Sequence, residues 1–160
     1  MSSSFQPDPG FLQQAVELAM EAVDSGSGGP FGAVVVQGDQ VVGRGRNCVL
    51  LRNDPTAHAE VEALRDAGQH LGRFHLTGCV LYTSCEPCPM CLAAALWARV
   101  EAVVYSGTRE DAARAGFDDH LFHAVLAGEE GSPLPLIAAD RGTAAPAFQR
   151  WLDRQGRTRY

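Results

Sequence analysis

The chain contains no lysine: all 13 of its basic side chains are arginine, set against 19 acidic ones. The net charge of −6 is unevenly spread, with five arginines and one aspartate (net +4) on residues 141–160 and −10 on residues 1–140. An acidic body lacks the field that phosphate backbones require, which argues against nucleic acid as a partner. The short basic tail reads instead as a solvated or subunit-contacting helix. Long apolar runs are also missing. The longest, Leu92 to Ala98, is far too short to span a bilayer, so no membrane association is expected. The start, Met1-Ser2-Ser3-Ser4-Phe5-Gln6-Pro7-Asp8, has neither a basic n-region nor an apolar h-region, so no signal peptide is expected. No internal repeat, linker or low-complexity tract interrupts the 160 residues, which fit a single domain able to bury a core without disulfide staples. Cysteines are few and odd in number: five, of which three fall within seven residues. That clustering suits a metal site and a reducing cytoplasmic location, and excludes a secreted disulfide framework.

The cluster is Ser84-Cys85-Glu86-Pro87-Cys88-Pro89-Met90-Cys91, and His58-Ala59-Glu60 precedes it by thirty residues. Cys88 and Cys91 are three apart, so on a helix they project from one face as neighbours. Pro87 suits the first helical turn, where a missing N–H costs nothing. Both thiols then lie near the positive end of the helix dipole, which favours the thiolate form that metals bind. His58 supplies a third ligand and leaves a fourth position open, the pattern of a catalytic rather than a structural zinc. Two other readings compete. A closed site made of Cys79, Cys85, Cys88 and Cys91 would leave His58 and Glu60 idle, and the irregular spacing argues against it. A redox thiol pair is opposed by the helix-forming Leu92-Ala93-Ala94-Ala95-Leu96 that follows at once.

Along the chain, Asp8 or Pro9 opens a first helix, in which Phe11, Leu12, Ala15, Val16, Ala19, Ala22 and Val23 recur at amphipathic spacing until Gly26–Gly29 stop it. Residues 32–37 read as a buried strand. Gly38-Asp39 turns it into a second strand over 40–48, where Gly43 and Gly45 mark a bulge or a close backbone approach. Asp54-Pro55-Thr56 precedes a helix over 58–70. His58 and Glu60 are two apart, roughly 200° around a helix axis, so they share a site only at the helix tip. Strands are expected at 75–83, 101–105 and 134–138, the cysteine-bearing helix within 84–99, and further helices at 109–115, 120–126 and 145–155. This alternation predicts an α/β mixed sheet of five strands with helices on both faces. The two metal-bearing helices then begin at one edge of the sheet, where open sheets bind ligands.

His-x-Glu with a later Pro-Cys-x-x-Cys is the signature of zinc nucleobase deaminases, matched here by His58, Glu60, Pro87, Cys88 and Cys91. The stretches Gly28-Gly29-Pro30-Phe31-Gly32-Ala33, Asn53 through Glu60, Thr83 through Cys91 and Ala115-Gly116-Phe117-Asp118-Asp119 resemble the bacterial guanine deaminases. The zinc motif alone defines a superfamily; Gly-Phe-Asp-Asp and the terminal tyrosine narrow the resemblance to guanine.

The resemblance implies a cytidine deaminase-like, three-layer α/β/α sandwich that holds Zn2+ and hydrolyses guanine to xanthine and ammonia. It assigns Glu60 the proton shuttle, Asn47 the recognition of the base edge and Phe31 a place beside the ring. Asp119 and Tyr160 approach the substrate, the tyrosine from the partner subunit of a homodimer that exchanges roughly residues 130–160. The backbone N–H groups of Ala59 and Cys88, at helix N-termini, are donors to a ring heteroatom. Related activities on tRNA adenosine, cytosine or a triazine are the alternatives, and a zinc-stabilised binding domain is a third reading in which Glu60 is dispensable. A tRNA enzyme should display a basic surface, which this acidic body does not offer. Cys85 reads as packed beside the ligands, Cys48 and Cys79 as buried strand thiols, and His70, His75, His120 and His123 as surface or core residues.

Overall fold

The structure, a computed structural model, describes residues 5–160. The Met1–Ser4 start, part of the segment read above as no signal peptide, lies outside them.

Helix α1 (Pro9–Asp24) starts as its sequence suggests, with proline in the first turn and the Asp8 side chain accepting from the Gly10 N–H at 2.7 Å. Strands β1 (Gly32–Gln37) and β2 (Gln40–Arg46) form an antiparallel hairpin turned at Gly38, whose φ of 61° suits glycine. A short helix α2 (Val49–Arg52) leads to α3 (Ala59–Leu71), then β3 (Cys79–Cys85), α4 (Pro89–Ala98) and β4 (Ala102–Gly107). Two further short helices, α5 (Arg109–Arg114) and α6 (His120–Ala127), precede a 3-10 turn at Arg141–Ala144 and the last helix, α7 (Ala145–Asp153).

The sheet order is β2-β1-β3-β4, with β1 antiparallel to both neighbours and β3 parallel to β4. Because β2 and β3 both run against β1, they point the same way, and the helices that follow them start at the same end of the sheet. The sheet separates two apolar layers. Val34, Val36 and Tyr82 pack toward α1 with Phe11, Leu12 and Leu18. Ala33, Val35 and Leu81 pack on the other face with Ala59, Ala63 and Ala67 of α3 and Ala95 and Ala98 of α4. The helices meet the sheet through alanine, so they lie close to it. A fully buried valine or leucine contributes about 1.5–3 kcal/mol, and these two faces supply most of the chain's large buried side chains.

Gly43 and Gly45 are flush with α3. A Cβ on Gly45 would collide with the Ala59 carbonyl and the Ala63 amide, and one on Gly43 with the Ala63 carbonyl and Ala67. Both features expected of this pair are present, since the β1–β2 register also slips beside Gly43, between Val35 and Val36.

The sheet has four strands among the described residues, not five. The segment 134–138 is irregular, with Leu136 91% and Ile137 84% exposed. Its apolar residues imitate a strand pattern, but Pro133 and Pro135 remove two ladder donors and no neighbouring strand pairs with it. Strand β3 begins at Cys79 rather than His75, because Thr77-Gly78 forms a turn ahead of it.

Candidate active site

The two ligand-bearing helices begin on the ligands themselves. His58 is the N-cap of α3 (φ −70°, ψ 153°) and Cys88 the N-cap of α4 (φ −66°, ψ 167°). Pro89, not Pro87, occupies the first turn of α4. A residue that precedes proline is driven into the extended region, so Pro89 fixes Cys88 in its cap conformation. Cys91 lies one turn further on, and Ala59 and Glu60 open α3, all at the helix tips. The turn ahead of His58 is pinned by Asp54, whose Oδ1 accepts from the Thr56 amide at 2.8 Å and its hydroxyl at 2.7 Å.

His58 Nδ1 lies 3.6 Å from Cys88 Sγ and 3.5 Å from Cys91 Sγ. Among the described residues, these three form the group whose metal-donor atoms all fall within 4.8 Å of one another. A tetrahedral zinc with ordinary Zn–N and Zn–S bonds sets its N···S edges at about 3.6 Å, so the three atoms fit that ion. Cys79 lies at the opposite end of β3, and Cys85 gives its Sγ–H to the Thr108 carbonyl at 3.4 Å. The four-cysteine site therefore does not form. With no disulfide present, all five thiols are free.

Charge in this cluster follows from who donates to whom. The hydrogen bond from Cys91, helped by His58, pulls the Cys88 thiol down to about 4. The same bond, with burial, pushes the Cys91 thiol in the opposite direction, far above the thiol range. The Cys88 thiolate raises the pKa of His58 in turn. Burial pushes Cys85 up to about 11 and keeps it a neutral thiol. Glu60, only 4% exposed, has its pKa raised chiefly by desolvation. Its Oε2 lies 3.4 Å from Cys91 Sγ, and its Oε1 lies 3.3 Å from the Thr83 hydroxyl.

In front of this cluster opens a cavity of about 650 Å³, lined by Phe31, Asn47, His58, Glu60, Cys88 and Asp119 among others. Asn47 is buried, its Oδ1 accepting from the Val49 N–H at 3.1 Å, which leaves its NH2 as the group it can offer the cavity. Gly28 makes room for that amide, since a Cβ there would strike it. Phe31 meets Phe117 edge to face, centroids 5.0 Å apart. Sequence reasoning passed over Phe117, Arg109, Glu86 and Phe122, which also line the cavity. Phe117 had a signal in Gly-Phe-Asp-Asp and Glu86 one in its place within the cysteine motif; Arg109 and Phe122 depend on where the fold places α5 and α6. Ala59 is fully buried in the core against the sheet and does not line the cavity. Tyr160 is not brought to its own chain's cavity: its ring lies 6.2 Å from that of Phe74 and 6.3 Å from that of Trp97.

Residues 6–107 match the cytidine and deoxycytidylate deaminase zinc-binding region. The chain belongs to that family. The deaminase is 46% identical to the guanine deaminase of Bacillus subtilis strain 168 over 94% of its own length and 97% of the relative's. The X-ray structure of guanine deaminase from Bacillus subtilis superposes on it with a TM-score of 0.86 at 44% identity, covering 97% of this chain and 99% of the other. A tRNA-specific adenosine deaminase of Buchnera aphidicola is 33% identical over 72% of this deaminase and 76% of the relative. The fold expected from the resemblance, helices on both faces of a mixed sheet, is the fold found, less one strand. No helix of the described residues is long and apolar enough to cross a membrane.

Proposed function

We propose that this deaminase hydrolyses guanine to xanthine and ammonia. One observation carries the choice of base: beyond the zinc-binding region, which ends at residue 107, α5 and α6 fold Phe117 and Asp119 into the wall of the cavity facing Glu60. The near full-length similarity to a guanine deaminase, which includes that wall, supports the same reading.

His58, Cys88 and Cys91 hold the metal, and with both sulfurs as thiolates the ion and its ligands carry no net charge. When bound, zinc acts as a Lewis acid that lowers the pKa of a water to about 7. Glu60 would carry the water's two protons in turn at Oε2, the oxygen beside Cys91: the first to the ring nitrogen, and the second, from the added hydroxyl, to the amine that leaves as ammonia. Burial serves this exchange, because a raised pKa lets one carboxyl act as base and then as acid. Asn47 presents its NH2 to an acceptor on the base, and Asp119 accepts from the N–H groups of guanine's amidine edge. Phe31 and Phe117 provide the apolar surface on which the ring rests, and the Cys88 N–H group faces developing charge from the tip of α4.

The active form is a homodimer that exchanges roughly residues 130–160. Exposed Leu134, Leu136, Ile137, Phe148 and Leu152 support it, since one chain alone leaves these side chains in water. Tyr160 then completes the partner's cavity. Five free thiols agree with a cytoplasmic setting.

The test is to incubate the zinc-loaded protein with guanine, cytosine, adenosine, a triazine and tRNA, and to measure released ammonia. Guanine should react fastest; a faster release from any other compound overturns the assignment.

A further inference from the structure

We propose that His123 is a positioning residue for the deamination: it holds the Asp119 carboxylate against the cavity wall so that one oxygen is left for the base. The inference rests on the reading of Asp119 as a residue that touches the substrate.

Three observations lead there. First, Asp119 is the N-cap of α6, yet its side chain makes no capping hydrogen bond. Aspartate at that position ordinarily accepts from the first-turn amides. The neighbouring Asp118 has taken over this duty, its Oδ1 accepting from the His120 N–H at 2.9 Å. Second, the carboxylate so released is not loose. Asp119 Oδ2 lies 3.0 Å from His123 Nε2, one helical turn on, with both side chains mostly covered. A carboxylate can only accept, so Nε2 carries the hydrogen and donates it. Third, Asp119 lines the cavity and His123 does not, which places the histidine behind the carboxylate.

The other charged groups nearby are engaged elsewhere. The Arg109 guanidinium pairs with Glu110 at 3.4 Å, and Glu86 Oε2 accepts from the Arg109 backbone N–H at 3.1 Å. His123 is thus the side chain that sets the direction of Asp119. Oδ2 being occupied, Oδ1 is the oxygen available to an N–H of the base. The cavity is far larger than a purine base, and an untethered carboxylate within it would sample positions that miss the substrate.

The experiment measures steady-state kinetics on guanine for the zinc-loaded full chain and for His123→Ala, His123→Phe, His123→Gln, Asp119→Ala and the Asp119→Ala/His123→Ala pair. His123→Phe keeps a ring without a donor, so it reports on the hydrogen bond even if the alanine variant folds poorly. Misplacing a substrate-orienting group predicts a loss in kcat/KM of about tenfold or more for both Ala and Phe. His123→Gln, with an N–H2 able to reach the carboxylate, should recover most of that loss. In the Asp119→Ala background the His123 change should add nothing, because its effect passes through a carboxylate no longer there.

Wild-type kcat/KM in His123→Phe, or a full multiplicative loss in the double variant, overturns the proposal while leaving Asp119 in place. Wild-type kcat/KM in Asp119→Ala overturns the substrate role of Asp119, and with it the role of His123.

Discussion

At the scale of single residues, the placement of Glu60 opposes stability to use. Its carboxyl is taken out of water and meets a thiol, a hydroxyl and its own backbone N–H; desolvation outweighs these partners, which favours proton exchange and penalises the ionised form. Glu60→Gln keeps the shape and discards the charge. Ammonia release should fall by about 100-fold or more, the range that a general acid–base group supplies. Zinc content should be unchanged, and the metal-free variant should melt higher than the metal-free parent in calorimetry. Retained turnover would sink the shuttle.

Asp54, ahead of His58, behaves in the opposite sense. The Thr56 hydroxyl and amide hold its pKa below the ordinary 3.8. The folded chain therefore binds this proton less tightly than the unfolded chain does. The stabilisation is complete above pH 3.8 and disappears as pH falls through the lower folded value. An NMR titration of the Thr56 amide should show its midpoint below 3.8; a midpoint at or above that value contradicts the bond.

At the scale of elements, the position of α3 depends on atoms that are absent. Gly45→Ala places a methyl group against the Ala59 carbonyl, one residue from both His58 and Glu60. Overpacking of this kind costs about 1–3 kcal/mol, and here it also displaces the helix tip that carries a ligand. Denaturant unfolding should show that loss, and zinc competition against a chelator should show weaker binding. An unchanged zinc affinity would mean that α3 yields elsewhere.

This approach was legible in the sequence, since two glycines alternating in an apolar strand mark a surface something else must touch. The ligands were legible too, because spacing and cap geometry are local. What stayed hidden depends on distance along the chain. Helix α2 has four residues, too few to show a period. The segment 134–138 has a strand's composition without a partner to pair with. The tie between His123 and Asp119 needed the fold, because a lone histidine four residues from an aspartate on a helix usually means a surface pair.

At the scale of the whole molecule, the dimer proposed from the apolar residues exposed after Gly128 predicts a melting temperature that rises with protein concentration. Sedimentation should show a dimer, and deletion of Tyr160 should lower turnover while leaving that dimer intact. Mixing the Tyr160 deletion with Glu60→Gln and refolding them together should restore activity, since each hybrid then holds one cavity with both an intact Glu60 and a partner's tail. Failure to restore activity in mixed dimers would return the tyrosine to its own chain or remove it from the chemistry.

The family's zinc-binding region ends at residue 107, and the helices that close the cavity begin at Arg109. On the assignment proposed above, the metal ligands, Glu60, Phe31 and Asn47 belong to the first stretch, while Phe117 and Asp119 are added by the second. Residues 108–123, grafted into a relative that grips zinc through the same two helix tips, should bring a preference for guanine with them, read as the ratio of rates on guanine and on the recipient's own substrate.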